Sequence, residues 1–371
     1  MSIQLNKYFD NACTSFPKPN EVAEYMVNHL KEGGSYGRAA YSRIINSTRI
    51  VEETRDVIGQ LIGVKEVSNI AFDYNATSAI NKIINGFSFK HKKVLVSPLE
   101  HNAIMRPLSA LGIDIQILPH ESDGFIRVDD IQPSLLRNVD MVIVNHVSNV
   151  NGVIQPVAKI KEAIKDIPIL VDASQSIGKV NFLANDWNID YAVFTGHKGL
   201  LGPTGTGGFY VKEPSSLNYT ISGGTGSNSD SFQMPTFMPD KFQAGTPNIT
   251  GIYGLLAAIK YKPANGWDRE VFLAIIKDLF SNPNIEVQCA TNSENQSDVF
   301  SAYPKNGDVS GFAHNLFTKH GIEVRSGLHC SPLAHKTLGT FPKGSVRFSL
   351  SSYHSNNDIK YLHESILNTI E

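Results

Sequence analysis

Two hydrophobic periods alternate along this chain. In "PNEVAEYMVNHLKEGG" the residues Val22, Tyr25, Met26 and Leu30 fall on one helical face before a glycine stop. "STRIVEETRDVIGQLIGV" repeats the period, with Ile50, Val51, Thr54, Val57, Ile58, Leu61 and Ile62 as the stripe expected to be buried. The period then shortens. "KKVLVSPLEH", "IDIQILP", "VDMVIVNHVS", "IPILVDAS", "IDYAVFTG" and "TGGFYVK" predict short strands that are apolar on both faces. Helical segments separate them, such as "PVAKIKEAIKD" with Pro156 at its first turn. Strands buried on both faces that alternate with helices predict a mostly parallel sheet covered on both sides, so the class is α/β. In such sheets ligands bind at the carboxyl ends of the strands.

The glycine-rich stretch "ISGGTGSNSDSFQMPTFMPDKFQAGTPN" has little apolar period and predicts a long ordered loop, followed by a helix in "ITGIYGLLAAIKY". Near "KPANGWDRE" the chain is expected to leave the large sheet and build a smaller α/β unit. A length of 371 residues agrees with two domains, because one core seldom grows that far. With 41% hydrophobic and 18% charged residues the composition is that of an ordinary globular protein. A formal charge of −2 gives no case for nucleic acid or an anionic membrane as partner. "MSIQLNKYFDNACTSF" lacks the basic start and apolar run of a signal peptide, and no later window reaches membrane-spanning length; the expectation is a cytoplasmic enzyme. Cys13, Cys289 and Cys330, an odd and scattered set, are expected to be reduced thiols. No P-loop and no dinucleotide-binding glycine motif is present.

The polar residues just after the strands form a short inventory. They are His101 and Asn102; Asn145, His146, Ser148 and Asn149; Asp172, Ser174 and Gln175; and Thr195, His197 and Lys198. A lysine for a Schiff base and a carboxylate to hold a ring nitrogen protonated are what pyridoxal phosphate needs. "NATSAIN" would add a helix start, with Thr77, for the phosphate. Singly, each has a bland reading: a solvated lysine, an aspartate N-cap, a histidine at a domain seam. Their joint fall at the strand ends of one sheet favours the site.

The ordered motifs "YFDNACTSFPKP", "NATSAIN", "EHNA", "HVSNVNG", "VDASQSIG", "FTGHKGLLGPTGTGG", "GGTGSNS", "FQAGTPN", "RSGLHCSPLAHKTLGT" and "VRFSLSSYHS" resemble the class V aminotransferase fold, in particular cysteine desulfurases and selenocysteine lyases. The resemblance implies a mostly parallel, seven-stranded-type sheet of the pyridoxal phosphate-dependent transferase fold in residues 16–262. It implies a small domain from residues 1–15 and 263–371. It also implies roles: Lys198 as Schiff-base lysine, His101 stacked on the ring, Asp172 at the ring nitrogen, and Gln175 and Asn149 near the phenolic oxygen. Ala76, Thr77, Thr195 and His197 would hold the phosphate, with Thr246 reaching across a two-fold interface of a homodimer. Arg347, with Arg325 and Asn149, would hold the substrate carboxylate, and Cys330 would accept sulfur. The implied reaction takes L-cysteine, or L-selenocysteine, to L-alanine, with a sulfur-acceptor protein downstream. Selenocysteine lyase, cysteine β-lyase, transaminase and a non-enzymatic sulfur carrier are the alternatives. The segment between "NGWDRE" and "RSGLHC" is short for the family, and Cys13, where relatives carry a small residue, is read as a packed thiol.

Cys330 has three readings. Its sequence neighbours Arg325, His329, His335 and Lys336 would favour a thiolate nucleophile. His329, Cys330 and His335 could bind zinc, although no C-x-x-C supplies the usual fourth ligand, so metal is the weak alternative. A bystander thiol is the third, and is also the reading of Cys289 at the end of "NIEVQC".

Overall fold

The structure, a computed structural model, describes residues 5–37 and 39–370. The apolar runs form a seven-stranded sheet from β1 (Ile70–Asp73), β2 (Lys93–Val96), β3 (Asp114–Ile117), β4 (Met141–Asn145), β5 (Ile169–Asp172), β6 (Tyr191–Thr195) and β7 (Gly207–Val211), in the order β1-β7-β6-β5-β4-β2-β3. Strands β3, β2, β4, β5 and β6 are parallel, and β7 runs antiparallel to both β6 and β1. Side chains alternate between two cores, because successive residues of a strand point to opposite faces. Leu95, Val142, Val144, Val171 and Phe194 enter one, and Val94, Val96, Ile143, Leu170 and Val193 the other. The first is covered by α2 (Ser42–Leu61) and α5 (Val157–Ile164), and the second by α3 (Ala76–Gly86) and α4 (Asn102–Ala110). Each such Leu, Ile or Phe contributes roughly 1.5–3 kcal/mol by leaving water.

Strand β1 is absent from the apolar runs read in the sequence. It has four residues, and its register partner, Tyr210 opposite Ile70, lies far along the chain. Its place is fixed from below by Arg55, which is 1% exposed. The Arg55 guanidinium donates to the Ile70 carbonyl and, at 3.3 Å, to Gln243 Oε1 in the long loop. The loop over 221–248 is irregular apart from a short 3-10 turn at Asp240–Phe242. Helix α1 (Asn20–Glu32) packs on α6 (Ile249–Lys260), but not with the whole face expected. Leu30 is 71% exposed, and His29 is buried in its stead. Its imidazole bonds to Thr250 Oγ1 at 2.9 Å and to the Gly34 carbonyl at 3.1 Å, which offsets the cost of burying a polar ring. Leu61, at the end of the α2 stripe, is likewise exposed.

The second unit is a four-stranded antiparallel sheet, order β10-β11-β9-β8, from β8 (Ile285–Gln288), β9 (Val299–Pro304), β10 (Arg325–Gly327) and β11 (Ser345–Ser349). Helices α7 (Arg269–Ser281), α8 (Val309–His320) and α10 (Asn356–Ile370) supply apolar faces to its core, and short α9 (Pro332–Thr337) comes just after Cys330. Phe9 belongs to the same core, with its N–H on the Glu323 carbonyl and its carbonyl on the Ser349 N–H, both at 2.8 Å. Among the described residues no helix is long and apolar enough to cross a membrane.

The two units meet at the turn after β4. Val153 bridges Gln296, and the Gly152 carbonyl accepts from Ser297 N at 2.9 Å. Gly152 has φ +74°, and a Cβ there would lie 1.9 Å from the Val299 carbonyl oxygen. Both the left-handed backbone and the close approach require glycine. Gly152→Ala is expected to lower unfolding stability by at least about 2 kcal/mol, read by urea titration, because it adds backbone strain to an overlap that must be relieved.

Candidate active site

The strand ends converge on one cavity of about 500 Å³, counting the part open to solvent. Ala76 and Thr77 reach it from the first turn of α3, whose N-cap Asn75 accepts from Ser78 N at 2.9 Å. His101 caps α4, and its Nδ1 accepts the Ala103 N–H at 3.0 Å. That bond leaves the imidazole proton on Nε2. Asn149 comes from the turn after β4, Asp172, Ser174 and Gln175 from the end of β5, and Thr195, His197 and Lys198 from the end of β6. All of these line the cavity; of the strand-end residues read from the sequence, Asn102, His146 and Ser148 do not, and His146 is buried against Phe182 and Trp187.

Burial pulls the Lys198 ammonium down to about 8, opposed by Asp172 and reinforced by Arg347. Roughly a tenth of this amine is then neutral at pH 7. Burial, with Lys198 adding to it, pulls His101 down to about 4, so this ring is neutral. Burial likewise pulls His197 to about 4. Beneath them lies Glu100, fully buried and not singled out in the sequence. Burial first, and then the Asp172 carboxylate, pushes it up to about 8; its Oε1 accepts from Ser97 Oγ at 2.8 Å and Asn145 N at 2.7 Å. A neutral Glu100 leaves Asp172 as the carboxylate facing the cavity.

Asn149 also ties the cavity to the second unit. Its Nδ2 donates to the His329 carbonyl at 2.8 Å, its Oδ1 accepts from Ser331 Oγ at 2.9 Å, and its own carbonyl accepts from Arg347 Nη1 at 3.1 Å. The Cys330 carbonyl accepts from Asn102 N at 2.9 Å, beside His101. His329 and Cys330 both hold positive φ, 49° and 58°, a paired left-handed turn that presents an exposed Cys330 next to the α4 terminus. Of the four cationic neighbours expected from the sequence, the two histidines carry no charge. His329 and His335 are buried, the first bonded to the Ser345 carbonyl at 3.0 Å and the second to Thr340 Oγ1 at 2.6 Å. Burial lowers both, His335 to about 4, and makes them neutral core rings.

Arg347 is 2% exposed and does not line the cavity wall. Its Nη2 pairs with Asp10 at 2.6 Å, a partner that sequence reading missed, while its Nε has no hydrogen-bond partner. Arg325 stands opposite Arg347 across the β10–β11 ladder, and its Nη1 lies 2.7 Å from Cys13 Sγ. Cys13, expected as a packed thiol, is half-buried and lies against a guanidinium. Thr246 lies elsewhere, in a depression with Gly205, Gln243 and Asn248.

A lysine, a carboxylate and a neutral imidazole at the ends of a mostly parallel sheet, facing one cavity, define an enzyme active site of the aminotransferase type. The chain belongs to the class-V aminotransferase family, whose profile matches residues 7–362. A protein of Methanothermobacter thermautotrophicus described as a probable cysteine desulfurase is 32% identical over 380 residues, covering 97% of this chain and 93% of its own. A protein of Dictyoglomus turgidum described as cysteine desulfurase IscS is 27% identical and covers 98% and 94%. The apo structure of a cysteine desulfurase from Thermococcus onnurineus NA1 aligns with a TM-score of 0.87 at 26% identity, over 98% of this chain and 94% of that one.

The lysine environment is testable without any cofactor. Acetylation of Lys198 by acetic anhydride in the apoprotein, followed by mass spectrometry, is expected to rise with pH about a midpoint near 8. Asp172→Asn should move that midpoint lower still, because the carboxylate holds the ammonium up. A midpoint near that of an ordinary lysine, about 10.4, would contradict the burial argument.

Proposed function

We propose that this protein is a pyridoxal phosphate-dependent cysteine desulfurase that converts L-cysteine to L-alanine and receives the sulfur on Cys330 as a persulfide. The observation that carries this reading is the docking of the Cys330 turn, through Asn102 and Asn149, on the rim of the cavity that holds Lys198, Asp172 and His101. The names of the relatives point the same way. The division into a large domain, residues 16–262, and a small one, residues 1–15 with 263–371, is part of the proposal. It is supported by the pairing of Phe9 with the second sheet, and residues 1–4 of it lie outside the described residues.

The cavity suits a polar, charged cofactor. Ser174 Oγ, Gln175 Oε1 and His197 Nδ1 line it as buried atoms without partners, a state that costs free energy unless a ligand bonds to them. Lys198 would hold pyridoxal phosphate covalently, Asp172 at the ring nitrogen, His101 against the ring and Gln175 with Asn149 near the phenolic oxygen. Ala76, Thr77, Thr195 and His197 would hold the phosphate. When bound, the cofactor supplies the electron sink that labilises bonds at the substrate's α and β carbons.

The chain's own groups do the rest. The Lys198 amine, freed on substrate binding, takes the α-proton. His101, with its proton fixed on Nε2, is placed to donate. Arg347, by its free Nε, and Arg325 hold the substrate carboxylate, with Asn149 setting the position of Arg347. The Cys330 thiolate attacks the substrate sulfur, forming an S–S bond as the C–S bond breaks. The C–S electron pair stays with carbon, which takes up protons to give alanine. A thiol reductant or an acceptor protein then removes the sulfur. Thr246, outside the cavity of its own chain, is proposed to complete the phosphate site of a second copy in a homodimer.

Product analysis tests the reading. With pyridoxal phosphate, reductant and L-cysteine, alanine and sulfide are expected in equal amounts, while pyruvate with ammonia would indicate a β-lyase. L-selenocysteine in parallel separates the lyase alternative. Cys330→Ala should retain lysine-bound cofactor absorbance and lose at least about a hundredfold in alanine formation, whereas Lys198→Ala should lose both. An unimpaired Cys330→Ala protein sinks the nucleophile. Mixing Lys198→Ala with Thr246→Ala chains should restore activity if sites are shared between copies, and restore none if they are not.

A further inference from the structure

Behind Lys198 lies a second, larger chamber that the proposed reaction does not use. It encloses about 1140 Å³, again counting the part open to solvent, and lies between the end of β6 and the second sheet. Lys198 lines both cavities. The charged side chains that face the chamber are Lys179, Lys198, Lys262 and Arg269 against one carboxylate, Asp298. That carboxylate is taken by Lys179 at 2.6 Å. Lys262 donates to the carbonyls of Gly178 and Gly199, and Arg269 to those of Ser293 and Gln296, so these cations meet only backbone dipoles. Burial, with the Lys179 ammonium adding to it, lowers Lys262 to about 8 against the pull of Asp298, so the one carboxylate does not offset the cations around it.

Two hydroxyls point to an occupant. Ser297 and Ser352 line the chamber, are 5% and 7% exposed, and have Oγ atoms without a hydrogen-bond partner. Buried hydroxyls without partners beside an excess of cations over carboxylates are complementary to a small, multiply charged oxyanion, whose oxygens accept from both. We propose that this chamber is a binding site for a small divalent oxyanion of the sulfate or phosphate type, lying behind Lys198 and separate from the cofactor cavity. Its occupant would stabilise the charged form of the nitrogen of Lys198 and so tune the residue that moves the substrate proton.

The test uses protein loaded with pyridoxal phosphate, so that the cofactor's own phosphate site is filled, with loading verified by absorbance first. Sodium sulfate is titrated calorimetrically at constant ionic strength, with sodium chloride as the control for screening. Saturable heat at one sulfate per chain is expected, and the pH midpoint of the lysine-linked absorbance should move upward with sulfate. Ser297→Ala with Ser352→Ala should weaken sulfate binding at least tenfold. Without sulfate the double variant should be as stable as the parent or more so, since hydroxyls with no protein partner are removed. Equal heats from sulfate and chloride, or undiminished sulfate binding by the double variant, would overturn the proposal. So would a large loss of stability in that variant without sulfate, because the hydroxyls would then serve the fold. Protein that loads no cofactor would instead count against the desulfurase reading, so the two failures are distinguishable.

Discussion

The site depends on one amide. The Asn149 side chain has a donor and an acceptor, and both are used within the turn of residues 329–331, while its carbonyl takes Arg347. A strand-end residue of the large sheet thereby sets the position of a thiol and a guanidinium that belong to the other sheet. Each bond alone contributes about 1 kcal/mol, but a buried amide left unpaired costs more, so the three hold or fail together. The Gly152 turn, with Val153 bridged to Gln296, adds a second tie between the loop that carries Asn149 and the second unit.

Charge is arranged with the same sparing use of partners. Glu100 is kept neutral by burial and by Asp172, and His101 is kept neutral by burial and by Lys198. The groups left facing the cavity are one carboxylate and one amine of lowered basicity, a pair whose environments differ enough to give them separate tasks. Arg347 is neutralised at one end by Asp10 and left unpartnered at Nε, so a deeply buried cation keeps one nitrogen without a partner.

Much of this was legible in the chain because it is local. Lys198, Asp172 and His101 each come soon after an apolar run, and a parallel sheet gathers the residues beyond its strand ends along one edge. The features that escaped were non-local. Strand β1 is four residues long and is defined by a partner near residue 210. Asp10 has meaning only against Arg347, 337 residues away. Cys13 reads as a packed thiol without Arg325 beside it, and His329 and His335 read as cationic without their burial. Leu30 and His29 exchanged places because periodicity counts hydrophobicity and not available partners, and His29 had Thr250 and Gly34.

The threading of Phe9 into the second sheet has a consequence for biosynthesis. Its contacts with Ser349 close a loop of 340 residues, so Phe9 leaves the ribosome long before the strand that completes its shelter. The entropy of so long a closure grows only slowly with length, so the arrangement costs the finished protein little. The delay is kinetic. A chain halted before β11 already has Lys198, Asp172 and His101, and the Glu323 carbonyl for the Phe9 N–H, yet has neither Arg347 for Asp10 nor Ser349 for the Phe9 carbonyl. Such unfinished chains shelter Phe9 incompletely, a state that chaperones and proteases act on, and they lack the guanidinium proposed to hold substrate.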